Sequence, residues 1–132
     1  MLRNILSVIA GLIVAMVTFV IAETINAMLH PAVKTVDFND KAAVKTFYES
    51  QPLSLWLMVL VGWFIGALLC GFLIKFLTKS SIKNLPIIAG SILTLSAVAN
   101  FFSIPHPTWF IIVGLIIFIP ATLLGHNLYK IK

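Results

Sequence analysis

Apolar residues in this chain run in long unbroken blocks instead of alternating with polar ones. From Ile5 to Leu29, about 25 residues, Glu23 is the sole charge, and such a stretch exceeds the ~20 residues a helix needs to cross a ~30 Å hydrocarbon core. Leu53 to Ile74 carries no charge over about 22 residues, with Pro52 before it and Lys75 after it. Leu85 to Tyr129 contains no Asp, Glu, Lys or Arg over about 45 residues, too long for one crossing, and Pro105-His106-Pro107 divides it. Proline lacks an amide hydrogen and disfavours helix in the residue before it, so Ile104 and His106 are expected to be extended and Pro107 to open the next helix.

The pattern predicts an all-α fold, an integral membrane four-helix bundle formed by a single domain over residues 1–132. The spans fall at about 5–29, 53–74, 85–103 and 108–129. The first run is longer than the ~7 to 15 apolar residues of a signal peptide's core, so it is expected to be retained as a span. The loop over 30–52 is too polar to cross, and Asn39 or Asp40 can cap a short amphipathic helix with Ala43, Val44, Phe47 and Tyr48 on one face, lying on the surface of the bundle or bilayer. Trp56, Trp109 and Tyr48 fall at the level of that loop and Tyr129 at the opposite one, as expected of interfacial aromatics.

Composition supports a bilayer as the solvent: 61% of residues are hydrophobic and 10% charged, against about 25% charged in a soluble domain. The net charge of +5 does not point to nucleic acid, because the basic residues are scattered singly and form no stripe. It points instead to topology. With the N-terminus inside, Arg3, Lys75, Lys79, Lys83, Lys130 and Lys132 gather on the cytoplasmic side, and Lys34, Lys41 and Lys45 fall outside beside Asp37, Asp40 and Glu49. That bias predicts cytoplasmic termini, and a bacterial inner membrane is the expected location. Cys70 is the only cysteine, which excludes an intrachain disulfide or a CxxC pair.

Helices in lipid associate through close backbone approach, so small residues mark their interfaces. Gly62, Gly66 and Cys70, with Ala67 and Gly71 alongside, form one groove; Ser7, Gly11, Ala15, Thr18 and Ala22 form another. Weaker grooves follow from Gly90 and Thr94, and from Gly114, Ala121 and Gly125. Intramolecular packing is the first reading of these grooves, and contact with a second copy or a larger membrane complex is the other. Pro120 removes one backbone hydrogen bond inside the fourth span, where a kink is expected unless a neighbour compensates.

An ionisable group within a span is expensive and faces the protein interior or a wet cavity, which makes Glu23 the leading candidate for chemistry. Asn26 and His30 follow it at i+3 and i+7 on nearly the same face. Asn100 shares its depth with the turn that carries His106, and Trp109 is a candidate wall. These residues suit three readings: a desolvated carboxylate that exchanges protons or binds a cationic solute, a hydrogen-bonded Glu23 that only fixes helix docking, or a metal site. For the last, Glu23, His30 and His106 supply three ligand types of a divalent metal site, without a local spacing such as HExxH. His126, ~30 Å further along than His106, is assigned to the opposite interface.

Length, four spans and a first-helix carboxylate are similar to the small multidrug resistance transporters. In that family the carboxylate lies near mid-membrane and the loops are compact, so the mechanism is not carried over to Glu23. The Glu23 to His30-Pro31 helix end and the Pro105 to Phe110 turn resemble small bacterial membrane proteins, which implies no activity. The sequence is therefore read as a small membrane protein that binds or transports a small solute, proton or ion around Glu23, with no cofactor expected. The alternative is an assembly subunit of a membrane complex, and a metal-dependent membrane enzyme stands third.

Overall fold

The computed structural model describes residues 1–130; Lys132, counted above on the inner side, lies outside them. Five α-helices follow in order: α1 (Leu2–Leu29), α2 (Lys41–Glu49), α3 (Leu53–Thr78), α4 (Asn84–Ser103) and α5 (Thr108–Leu128), with a 3-10 turn at Pro31–Thr35. The four long ones are each apolar and long enough to cross a membrane, so the chain is an integral membrane protein built as a four-helix bundle.

The polar residues between the spans set the helix ends. Asp40 caps α2, its carboxylate accepting from the amides of Ala42 at 3.0 Å and Ala43 at 3.1 Å, which satisfies two of the donors a helix start leaves open. Pro52 and Pro107 are the extended N-caps of α3 and α5, so Pro107 precedes the last helix instead of opening it. Ile104 is extended at φ −131° and ψ 134°, as the residue before a proline should be. α1 and α3 run past the charges used to bound them, beginning at Leu2 and ending at Thr78. Arg3 explains part of this: its guanidinium donates to the Thr78 carbonyl at 2.7 Å, which ties the start of α1 to the end of α3 and answers a carbonyl at a helix C-terminus. α5 continues unbroken through Pro120.

Around the bundle the order is α1, α3, α5, α4, and α3 packs along both α1 and α5, while α1 and α4 touch only briefly. The small-residue grooves lie in the well-packed seams. Gly11 meets Cys70 and Ile74; Gly62 meets Ala22; Gly66 meets Phe19 and the Ala15 carbonyl. Gly71 abuts the Thr122 backbone and Gly125 the Leu68 backbone, which is the close approach that glycine permits. Ala15 and Cys70 are fully buried between α1 and α3.

An aromatic column fills the centre. Trp56 stacks near Phe110 at 5.2 Å, Phe110 near Trp63 at 5.3 Å, and Trp63 near Phe118 at 5.3 Å. Trp56, in the first turn of α3, is only 4% exposed: with Trp63 at i+7 it lies on the face of α3 that meets α5. His126 is likewise inside at 1% exposure, because it continues the buried Phe118 and Thr122 face of α5. Neither of its ring nitrogens has a partner within hydrogen-bonding geometry among the described residues. Tyr129 packs edge-on against Phe72 and Phe76.

Candidate functional site

The thin seam between α1 and α4 opens a cavity at the end of the bundle that carries α2. Its volume is about 340 Å³, and its lining includes Glu23 and Asn26 from α1, Tyr48 from α2, Trp56 from α3, Asn100 from α4 and His106 from the α4–α5 turn. Glu23 stands six residues before the end of α1 at Leu29, about 9 Å along the axis. Asn100 stands three residues before the end of α4 at Ser103, so both helices deliver a polar group at a similar depth.

Glu23 forms no hydrogen bond or ion pair with another described residue; the one ion pair among them joins Lys45 and Glu49 on α2. The Asn100 amide and the Tyr48 hydroxyl also have no hydrogen-bond partner among the described residues, and neither is among their fully buried unsatisfied atoms. Burial pushes the Tyr48 phenol above its ordinary pKa, and the nearby Glu23 carboxylate adds to that rise, so Tyr48 is a neutral donor.

His106 is held in one tautomer. Its Nδ1 lies against the Ile104 carbonyl oxygen, which can only accept, so Nδ1 carries the hydrogen and Nε2 a lone pair. The ring stacks on Phe110 at 5.1 Å and 19°, with Trp56 at 5.3 Å and Phe101 at 5.1 Å. Burial in this aromatic box lowers the His106 pKa below its ordinary value, and the Ile104 bond only partly opposes it. His106 therefore presents a neutral acceptor beside a carboxylate, an amide and a phenol.

His30 is not part of this cavity. Its Nδ1 donates to the Asn26 carbonyl oxygen at 3.1 Å and to Asn26 Oδ1 at 2.9 Å, and its Nε2 lies 3.2 Å from the Ser54 hydroxyl. Asn26 Nδ2 donates in turn to the Leu55 carbonyl at 3.2 Å. This pair staples the end of α1 to the start of α3, so Asn26 touches the cavity while spending its amide on docking. Trp109 lines an adjoining hollow of about 440 Å³ that shares Tyr48, Trp56 and His106 with this cavity and adds Glu49, Gln51 and Pro107. There Glu49 is paired and Gln51 donates to the Phe47 carbonyl.

The same geometry bears on the metal candidates. Glu23 and His106 line the cavity while His30 does not, and among the described residues no three His, Cys, Asp or Glu side chains are placed to hold a metal ion. Tyr48 and Trp56 line the cavity and were placed at this level from the sequence without being counted in the site. The amphipathic face of α2 contained the signal for Tyr48, since Val44 and Tyr48 are the buried pair of that helix.

No family model, curated protein or solved structure matches the chain.

Proposed function

We propose that this membrane protein binds a small cationic or hydrogen-bond-donating solute in the cavity around Glu23, and that movement of that solute or of a proton is its role. One observation carries the reading: Glu23, an exposed carboxylate with no hydrogen bond or ion pair among the described residues, lines the same cavity as Asn100, Tyr48 and His106. An unpaired membrane carboxylate is costly, and a bound cation or proton offsets that cost. His106 Nε2 and Asn100 Oδ1 supply acceptors for the remaining hydrogens of an ammonium-type solute, and the Trp56 and Tyr48 rings suit a cation.

Topology completes the proposal. Six basic residues on the terminal side against three on the α2 side support cytoplasmic termini in a bacterial inner membrane, with the cavity at the outer surface. Docking to a partner through the small-residue grooves is the weaker reading, because Gly62, Gly66 and Gly71 are spent on packing inside the bundle.

The test is stabilisation of the purified protein by a series of small ammonium ions, read as a rise in the unfolding temperature. Wild type is expected to respond and Glu23→Gln to lose the response while keeping its own unfolding cooperative. An equal response in both proteins would overturn the proposal; proton or ammonium flux in liposomes then separates transport from binding.

A further inference from the structure

The space around Glu23 continues beyond the polar residues. A slot of about 170 Å³ runs between α1 and α4, lined by Met16, Phe19 and Val20 on one side and Ser96 and Ala97 on the other, with Phe118 behind. Glu23 and Asn100 line both this slot and the polar cavity, so the two volumes meet at those side chains. Met16, Val20 and Ser96 are exposed on the bundle surface, which opens the slot sideways to the lipid-facing side of the bundle.

Both walls change character in the same direction. On α1, Met16, Phe19 and Val20 lead to Glu23 and then Asn26; on α4, Leu93, Ser96 and Ala97 lead to Asn100. These steps of three and four residues keep each series on one helix face. An occupant complementary to the whole space is therefore apolar at one end and polar at the other. Among the described residues Glu23 is the one charged residue lining either volume, which sets the sign of the polar end. Trp56 and Tyr48 line that end, and aromatic faces attract cations.

We infer that the occupant is a single-chain amphiphile with an ammonium head, the head at Glu23 and the hydrocarbon tail in the α1–α4 slot. The inference rests on Glu23 as the binding group, and adds the ligand class and a lateral route from the bilayer.

The experiment uses the full chain in lipid nanodiscs with octylammonium, ethylammonium and uncharged octanol, compared at equal membrane loading so that partitioning into lipid cancels. Ser96→Phe fills the slot from its exposed side; the Ser96 hydroxyl bonds only the Ile92 carbonyl of its own helix, at 3.0 Å. Wild type is expected to bind octylammonium more tightly than octanol by about tenfold or more, the worth of one charge-assisted contact. Ser96→Phe is expected to lose binding of octylammonium several-fold and keep that of ethylammonium. Glu23→Gln is expected to lose both.

Equal octylammonium binding by wild type and Ser96→Phe overturns the tail placement and leaves head binding at Glu23 intact. Ethylammonium binding unchanged by Glu23→Gln overturns the underlying proposal itself. If Ser96→Phe does not fold, Val20→Phe blocks the opposite wall. Octylammonium brominated at its tail end gives an independent reading, because Trp63 lines the slot. It should quench tryptophan emission more than brominated octanol does, and equal quenching contradicts the placement.

Discussion

His30 and Asn26, one helical turn apart, form a relay that ends on another helix: Nδ1 of His30 donates to Asn26 Oδ1 at 2.9 Å, and Asn26 Nδ2 donates to the Leu55 carbonyl at 3.2 Å. Since the carbonyl can only accept, the amide orientation is fixed, and with it the histidine tautomer. Asn26→Leu is expected to destabilise the bundle by about 1–2 kcal/mol, within the range for removing a hydrogen-bonded polar group between membrane helices. His30→Phe should cost less, and a double-mutant cycle on unfolding free energies should show the two losses to be non-additive. Additive losses would mean that the relay does not act as a unit.

Gly71 and Gly125 form a reciprocal contact between α3 and α5, each pressed against the other helix's backbone. A backbone cannot swing aside as a side chain does. Gly71→Ala and Gly125→Ala are expected to cost about 1–3 kcal/mol each, the usual range for overpacking. At Gly66 the nearest obstruction is the Phe19 ring, which can rotate, so Gly66→Ala should cost less. Thermal unfolding of the three variants in one detergent checks this order.

Acidification should weaken the protein through His106. Its pKa is lowered in the fold by burial, so the unfolded chain takes up a proton more readily than the folded one. Stability is then complete above the ordinary histidine value of about 6.5 and falls as the pH drops through it toward the lowered folded value. The unfolding temperature followed from pH 8 to pH 5 should fall more steeply for wild type than for His106→Gln. Parallel curves would show that the aromatic box does not hold a neutral ring.

Charge-free runs and the Pro105-His106-Pro107 break made the four spans legible, because bilayer thickness and proline geometry are constraints that local sequence meets directly. The helix ends were less legible. Arg3 and Lys75 read as boundaries although both sit within helices, since a long basic side chain can reach away from the apolar core. Glu23, Asn100 and His106 announced their shared depth, yet their meeting depends on the order of helices around the bundle, which no local pattern encodes. His30 shows the converse: it shares the stripe of Glu23, but the start of α3 captures it through Ser54 and Asn26. Trp56 and His126 sit near span ends as read, but their burial inside the bundle was not legible, because amphiphilic side chains there suit an interface and a packed helix face alike.

The central claim is that Glu23 faces an accessible cavity and is not sealed between helices. Glu23→Cys, reacted in the purified protein with a small water-soluble maleimide, tests it directly, with wild type as control because Cys70 is 0% exposed. Modification of Glu23→Cys much faster than of wild type is the result expected. A variant that folds normally and yet reacts no faster than Cys70 would contradict the cavity and every function drawn from it.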